Sequence, residues 1–233
     1  MTEGRRGAVP ATPTGTGAAA GAVASHRIAD SLRAAILGGS YLPGTRIRQE
    51  DVAARSGASR IPVREALRML QAEGLVTLVA NSGAWVARLT LAECAELYQV
   101  RERLEPLLLR ASMPGLDDAA LDRMAGLAGA MERADGDVDA FLRADREFHL
   151  SSYAGAASGE MWQIIHRMWN TTQHYRREFT RLAMADGLTA THLEHRLLLD
   201  CLRREDADDA ERVLVMHIRR TRLELSRHPE IFG

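Results

Sequence analysis

The chain has 233 residues and a net charge of −1, with 46% hydrophobic and 26% charged residues, which is typical of a globular protein with room for two domains. It contains no apolar run near the ~20 residues that a membrane-spanning helix needs. The two cysteines, Cys94 and Cys201, form no motif, so a disulfide framework is not indicated and the composition favours a cytoplasmic protein.

Charge is unevenly distributed along the chain. Residues 26–88 contain nine arginines and five acidic residues, a net charge of +4. Residues 89–233 contain nineteen arginines and twenty-five acidic residues, a net charge of −6. A basic N-terminal part joined to an acidic body fits nucleic-acid binding that is confined to one domain.

The first segment, residues 1–25, consists mainly of alanine, glycine, threonine and proline. It has too little apolar surface to offset the entropy of ordering, so we predict a disordered tail here. A helix is predicted over residues 26–37, because apolar residues repeat there at helical spacing and a pair of glycines follows.

Two helices separated by a short glycine-containing turn are predicted next. Residues 49–57 form a short helix that ends at Gly57, and a longer helix begins near Ser59. Ser59 is expected to cap the longer helix with its hydroxyl, and Pro62 fits in the first turn, where the missing N–H costs nothing. This arrangement is typical of a helix-turn-helix.

Three arginines, Arg60, Arg64 and Arg68, are spaced four apart along the longer helix and form one row beside its apolar face. Arginine in a major groove can bind guanine edges or grip phosphates, so the row predicts contact with DNA. The alternative is a solvated basic face on an ordinary helix.

Two short strands are predicted at residues 75–79 and 84–88, joined by a turn at residues 80–83. A hairpin that follows a helix-turn-helix completes a winged helix. We therefore expect a winged helix-turn-helix DNA-binding domain over residues 26–88.

Three motifs in this region resemble the DNA-binding domain of GntR-family bacterial transcription regulators. They are residues 43–47 (Pro-Gly-Thr-Arg-Ile), residues 59–67 (Ser-Arg-Ile-Pro-Val-Arg-Glu-Ala-Leu) and residues 73–76 (Glu-Gly-Leu-Val). We expect DNA contacts from the helix-turn-helix and the wing, and the candidates are Arg48, Ser59, Arg60, Ile61, Arg64, Arg68 and Gly83.

The sequence departs from this family at two positions. Where relatives often carry a DNA-contacting arginine, this chain has Glu50, with Arg48 two positions earlier. Either Arg48 substitutes for that arginine or the contact is absent. Where relatives often carry threonine before the proline, this chain has Ile61, which either meets a thymine methyl group or packs within the protein.

Residues 89–233 show helical periodicity and no strand pattern. Thr90 and Glu93 have the spacing of a capping box at the start of the first helix. Six helices are predicted near residues 91–112, 117–134, 137–154, 158–183, 189–204 and 207–227. We expect an all-α antiparallel six-helix bundle, so the fold class is mainly α with one small β-hairpin.

Asp145 and His149 lie at i and i+4 on one predicted helix, so they share a face. His195 and His217 lie on later helices, and the apolar neighbours of His217 would allow it to point inward. If the four side chains converge, they could hold a divalent cation such as Zn²⁺, Ni²⁺, Co²⁺ or Mn²⁺. The alternative is three unrelated histidines on solvated faces.

This helical segment resembles the FCD ligand-binding domain of the FadR subfamily of GntR regulators. The motifs that carry the resemblance are Val100-Arg101-Glu102-x-Leu104-Glu105-Pro106, Asp145-x-x-Phe148-His149, Glu194-His195-Arg196 and Met216-His217. Many such domains bind a metal through an aspartate and three histidines, which implies the ligands Asp145, His149, His195 and His217, with zinc the first choice. Arg101 and Glu105 form either an ion pair within one helix or an effector site in which Arg101 binds a ligand carboxylate beside the metal.

Together these features predict a cytoplasmic, homodimeric transcription regulator that binds a pseudo-palindromic DNA operator through two winged helices. A small carboxylate-bearing effector in the helical domain, residues 89–233, would change the arrangement of the DNA-binding domains. Repression is expected, and activation stays open. The alternatives are a helical-bundle metalloenzyme that uses the Asp/His site for hydrolysis, and an architectural nucleic-acid binder without an effector.

Overall fold

The computed structural model of the chain describes residues 16–80, 82–134, 136–156 and 159–233. Its first helix, α1, spans Thr16–Leu37 and begins ten residues before the predicted start at His26. The predicted tail is therefore too long, because residues 16–25 are rich in alanine, the residue with the highest helix propensity. The rest of the predicted tail, residues 1–15, lies outside the described residues.

The helix-turn-helix consists of α2 (Gln49–Ser56) and α3 (Arg60–Ala72). Gly57 follows α2 with a φ of +62°, a left-handed conformation that glycine adopts without strain. The apolar face of α3 is buried, and Val63, Ala66, Leu67 and Leu70 are each at most 1% exposed. The arginine row of α3 is consequently left in solvent.

Three short strands complete the winged helix: β1 (Arg46–Ile47), β2 (Val76–Val79) and β3 (Gly83–Val86). Their order is β1-β3-β2, and both pairs are antiparallel. The sequence predicts the hairpin of β2 and β3 but not β1, because two residues are too few to show an alternating pattern. The added strand places Arg46 opposite Trp85.

Six helices follow in the described part of the chain. They are α4 (Leu91–Ser112), α5 (Asp118–Glu132), α6 (Val138–Ser152), α7 (Glu160–Ala183), α8 (Thr189–Arg203) and α9 (Ala207–Leu225). The predicted bundle is thus confirmed. Thr90 and Glu93 form the expected capping box, with Glu93 N–H donating to Thr90 Oγ1 over 3.2 Å.

Helix α4 packs along α9, α5 packs on α6, and α8 contacts both α5 and α9. The bundle core is rich in aromatic side chains that are almost fully buried, including Tyr98, Phe148, Tyr153, Trp169 and Tyr175. This packing brings the inner faces of α6, α8 and α9 together. Among the described helices, none has the length and apolar character needed to span a membrane.

Candidate metal centre and DNA-binding surface

Three helices of the bundle bring the four predicted metal ligands together. Asp145 and His149 lie one turn apart on α6, His195 lies on α8 and His217 lies on α9. One potential ligand atom from each residue lies within 4.8 Å of all the others. We call these four residues the Asp/His cluster. Because its three histidines converge and are largely buried, the alternative of unrelated histidines on solvated faces is wrong.

The side chains of the Asp/His cluster face a common point. The Nε2 atoms of His149 and His195 are 3.1 Å apart, and Asp145 Oδ1 lies 3.7 Å from the first and 3.4 Å from the second. The ring of His217 is centred 5.0 Å from that of His149 and 4.9 Å from that of His195. His149 and His195 are each 1% exposed, so bulk solvent does not separate these groups.

This donor set fits a divalent cation. Three neutral imidazoles and one carboxylate are ligands that zinc and its neighbours in the first transition row accept. Without a cation, the facing Nε2 atoms of His149 and His195 require a proton on one ring, because two lone pairs at hydrogen-bond distance repel. A cation that accepts both lone pairs removes that conflict.

A carboxylate orients the fourth member of the cluster. His217 Nδ1 lies 2.7 Å from Glu194 Oε2. Arg220 holds Glu194 in turn, donating from Nε and Nη2 over 2.7 Å and 2.5 Å. A carboxylate on one ring nitrogen keeps the proton there and leaves His217 Nε2 available for a cation. Glu194 belongs to the motif Glu194-His195-Arg196, but this role was not predicted from the sequence.

Local electrostatics favour the protonation states that metal binding needs. Burial alone would raise the pKa of Asp145, but the Arg176 guanidinium and the neighbouring imidazoles hold it well below its ordinary value of 3.8. Burial lowers the pKa of His149 well below 6.5, and it lowers that of His217 despite the adjacent Glu194. At neutral pH the carboxylate is therefore ionised and these two imidazoles are neutral.

A cavity of about 40 Å³, enough for a few waters, adjoins the Asp/His cluster. Two buried guanidinium groups, those of Arg101 and Arg176, line it together with aromatic rings. Arg101 lies 4.6 Å and Arg176 3.9 Å from the ring centroid of Trp169. Arg101 Nη1 is buried and has no hydrogen-bond partner in the described structure, so it is suited to an anionic oxygen.

Glu105, predicted to bind the effector, does not line this cavity. It is fully buried behind Arg101, because Oε1 accepts from Arg101 Nε over 2.5 Å and Oε2 accepts from the Tyr153 hydroxyl over 2.6 Å. Arg101 therefore forms the ion pair within α4 and also lines the cavity, while its contact with an effector stays a prediction. Glu105 positions Arg101.

Arg176, whose guanidinium donates to Asp145, is a site residue that was not predicted from the sequence. Trp169 and Arg176 are two turns apart on α7, and both are buried. That spacing was the available indication that Arg176 points inward, and it is weak because an arginine is usually exposed.

A groove on the winged helix holds most of the predicted DNA-binding residues. Its lining includes Arg48, Arg60, Ile61, Arg64, Arg68 and Gly83. Ile61 is 74% exposed, so the interpretation that it packs within the protein is wrong. Arg60 Nη2 lies 3.3 Å from Glu50 Oε1, which places Glu50 inside this basic groove.

Ser59 is exposed at the N-cap position of α3, but its hydroxyl makes no cap hydrogen bond. The predicted cap is wrong: Pro62, the third residue of the helix, has no N–H to donate, and the hydroxyl makes no bond to the N–H of Ile61 either. The Ser59 hydroxyl is therefore not engaged with the first turn of α3.

Arg46 also lines the groove and was missed by sequence analysis. Its guanidinium lies 5.6 Å from the centroid of the Trp85 ring, and its Nη2 donates to the carbonyl oxygen of Ser82 over 3.0 Å. These contacts hold β1 against the wing. Finding Arg46 from sequence would have required prediction of the two-residue strand that carries it.

Two family models match separate parts of the chain. A family model described as "Bacterial regulatory proteins, gntR family" matches residues 24–86, and one described as "FCD domain" matches residues 96–220. The solved structure of McbR/YncC from E. coli matches with a TM-score of 0.76 over 88% of this chain and 98% of the other, at 20% identity. At that identity the match shows the fold.

Two curated relatives cover most of the chain. A protein of Streptomyces ambofaciens described as an uncharacterized HTH-type transcriptional regulator is 27% identical over 208 residues, which is 87% of this chain and 86% of that protein. The probable D-xylose utilization operon transcriptional repressor of Paenarthrobacter nicotinovorans is 30% identical over 179 residues, which is 75% of this chain and 76% of that protein.

Proposed function

The chain belongs to the gntR family of bacterial regulatory proteins and carries an FCD domain, and on that premise we propose a DNA-binding repressor controlled by a small carboxylate beside a divalent cation. The observation that carries the proposal is the convergence of the Asp/His cluster next to a cavity lined by buried arginine side chains. Repression is supported by a relative that is named as a probable repressor.

Within this proposal, the cluster residues Asp145, His149, His195 and His217 hold the cation. Zinc is the first candidate, and nickel, cobalt and manganese are alternatives. The bound ion would supply a Lewis-acid centre with positions open to a ligand. Arg176 keeps Asp145 ionised and Glu194 fixes the ring of His217, so the protein's own residues prepare the donor set.

The proposed effector is a small organic acid. Arg101 and Arg176 stack on Trp169 and form a positive wall of the cavity. The unpaired Nη1 of Arg101 would donate to a carboxylate oxygen, and Glu105 would hold the guanidinium in that orientation. Because the cavity is only about 40 Å³, the acid is small or the walls move when it binds.

We further propose a homodimer formed by the helical domains. Large apolar side chains on α4 and α9 are exposed, namely Val100 (42%), Leu107 (54%), Met216 (47%) and Leu223 (45%). A patch of this kind on a soluble domain is typical of a protein interface. Symmetric pairing would present two copies of α3 to the two halves of a pseudo-palindromic operator in the cytoplasm.

The two alternative functions have less support. The matched family and the named relatives are regulators of transcription rather than enzymes. An architectural DNA binder would have no use for a buried cluster of ionisable side chains, which costs free energy unless it is paired or metal-bound.

The test uses the full chain and duplexes that it selects from a random-sequence pool. Affinity for a selected duplex is measured with a chelator, with Zn²⁺, and with Zn²⁺ plus a series of small organic acids. We expect specific duplexes to be enriched, and we expect an acid to change their affinity only when Zn²⁺ is present. Failure to enrich any sequence, or an acid response that survives chelation, would contradict the proposal.

A variant separates the effector site from the other two sites. Arg101→Lys keeps the positive charge but loses the forked donor geometry, so the acid response should fall while binding of Zn²⁺ and DNA persists. The matched control is Arg103→Lys, on the exposed side of the same helix.

A further inference from the structure

Helix α7 contacts both the Asp/His cluster and the DNA-binding domain. Its residue Arg176 donates to Asp145, a member of the cluster. Its residues Asn170 and Thr171 donate hydrogen bonds to main-chain carbonyl groups just beyond the end of α3. A single helix therefore connects the proposed ligand site with the helix that lines the DNA-binding groove.

Asn170 is the centre of a hydrogen-bonded connection from α6 to α3. Arg146, adjacent to Asp145 on α6, donates from Nη2 to Asn170 Oδ1 over 2.6 Å. Asn170 Nδ2 donates to the carbonyl oxygen of Glu73 over 3.0 Å. Glu73 is the C-cap residue of α3, so one amide group joins a ligand-bearing helix to the end of the DNA-binding helix.

This connection is polar, with a buried centre at Asn170 and half-buried partners at Arg146 and Glu73. Asn170 is 3% exposed, and Arg146 Nη1 is buried without a hydrogen-bond partner among the described residues. Apolar side chains of similar volume would fill such a space at less cost, so the polar pair favours a role beyond packing.

The end of α3 is held closely at this contact. Gly74 has a φ of +76°, and a Cβ added there would lie 2.6 Å from Thr171 Oγ1, so α7 touches the backbone directly. On the other side, the Glu73 carboxylate accepts from Nε and Nη2 of Arg33 on α1, each over 2.6 Å. A displacement of α7 would therefore be transmitted to α3, because packed interfaces do not absorb small shifts smoothly.

A second connection runs from α6 through α7 to α1. Asp139 on α6 forms an ion pair with Arg177 on α7. Arg177 Nη2 donates to the carbonyl oxygen of Leu37, the last residue of α1, over 2.9 Å. Helix α6 is thus linked through α7 to two helices of the DNA-binding domain.

We propose that Asn170 is a positioning residue that couples occupancy of the Asp/His cluster to the orientation of α3. The inference rests on the proposed function, because it requires a cation in the cluster. Ligation would fix Asp145 relative to His195 and His217 on other helices, and with it the position of the adjacent Arg146. An amide suits this position because it accepts from arginine and donates to a carbonyl at once, whereas a carboxylate only accepts.

The coupling can be measured as the factor by which bound DNA changes the affinity of the protein for Zn²⁺. If Zn²⁺ changes the affinity for DNA, then DNA must change the affinity for Zn²⁺ by the same factor. The probes are Zn²⁺ alone and a duplex selected by the full chain from a random-sequence pool. Titration calorimetry with Zn²⁺, in the presence and absence of saturating duplex, should give a factor of about 5–150 for the wild-type chain.

Two variants interrupt the connection at different bonds. Asn170→Asp keeps an acceptor for Arg146 and removes the donor to the Glu73 carbonyl, and Arg146→Met removes the bond on the α6 side. In each, the factor should fall to about one, while Zn²⁺ binding by the free protein and DNA binding by the metal-free protein are retained. The control is Arg181→Met, at an exposed arginine of α7 that pairs with Glu178.

Circular dichroism establishes that each variant is folded, and if one of them is not, the other carries the test. A folded variant with the same coupling factor as the wild-type chain would overturn the inference. A coupling factor of about one in a wild-type chain that binds both Zn²⁺ and DNA would overturn it as well. If the wild-type chain does not bind Zn²⁺ in the absence of DNA, both the proposed metal site and this inference are wrong. The titration without DNA therefore distinguishes the two failures.

Discussion

His217 Nδ1 and Glu194 Oε2 lie 2.7 Å apart, on α9 and α8 respectively. Burial alone would raise the pKa of Glu194, but its bonds to Arg220 and His217 hold it at about 2, so the carboxylate is ionised at neutral pH. An ionised carboxylate on one imidazole nitrogen makes the other nitrogen a better ligand and fixes its direction.

We expect Glu194→Gln to weaken Zn²⁺ binding by about 10–100-fold, because an amide orients His217 less firmly and adds less basicity. Titration calorimetry on the full chain measures this change. Glu178→Gln is the control, since Glu178 pairs with Arg181 on α7, away from the cluster. An equal loss of Zn²⁺ affinity in both variants would mean that the effect is not specific to the contact between Glu194 and His217.

Loss of one ligand should abolish the thermal response to metal. A cation that binds only the folded state adds about 2.7 kcal/mol of stability at a hundredfold excess over its dissociation constant. Wild-type chain should therefore melt at a lower temperature with a chelator and recover with Zn²⁺, and His217→Ala should show neither change. His192→Ala, on α8 but outside the cluster, should respond like the wild type. A metal response that persists in His217→Ala would remove His217 from the ligand set.

Only part of the Asp/His cluster could be predicted from spacing, and the inclusion of His195 and His217 came from the resemblance to FCD domains. Asp145 and His149 share a helix face by their spacing alone, and the helix boundaries of the bundle follow from periodicity and from glycine and proline breaks. The bond from Arg176 to Asp145 could not be predicted, because it depends on how α6 and α7 pack. The same holds for the contact between Asn170 and Glu73, which are 97 positions apart.

Three features of the DNA-binding domain were not predicted correctly from the sequence: strand β1, the N-cap of α3 and the start of α1. Strand β1 is two residues long, so its pairing with β3 is set by the tertiary fold rather than by local propensity. The prediction of a cap at Ser59 overlooked that Pro62 removes one of the two possible N–H donors. The helix begins at Thr16 because alanine has a high helix propensity, whereas the low apolar content of this segment had predicted a disordered tail.

Arg64 should contribute to DNA affinity without contributing to stability. It is exposed on α3 and lines the groove of the winged helix. Arg64→Ala is expected to weaken binding to a selected duplex by about 1–3 kcal/mol if the side chain contacts a base. The melting temperature should change little, as for most exposed substitutions. Fluorescence anisotropy measures the affinity, with Arg203→Ala on α8 as the control; unchanged affinity would remove Arg64 from the interface.

The apolar patch on α4 and α9 should be the dimer interface. Leu107 is 54% exposed within it, and Leu107→Glu would place a charge in a desolvated contact. We expect this variant to sediment as a monomer at micromolar concentration, where the wild type is a dimer. Ile164→Glu is the matched control, because Ile164 is 47% exposed on α7, outside the patch. A dimeric Leu107→Glu variant would place the interface elsewhere.

The stability of the metal-free protein should fall as the pH is lowered through the range in which histidine titrates. Burial lowers the pKa of His149 well below 6.5 and lowers that of His217, so in the folded state both stay neutral where the unfolded chain already binds protons. Stability decreases with falling pH wherever the unfolded state binds more protons, so the loss begins near pH 6.5 and continues towards the lowered pKa values. Urea unfolding in a chelator between about pH 5 and pH 8 measures this dependence. His149→Gln should reduce the slope, because its side chain does not titrate, and the same substitution at the exposed His26 is the control. A slope equal to that of the wild type in His149→Gln would mean that other groups cause the acid sensitivity.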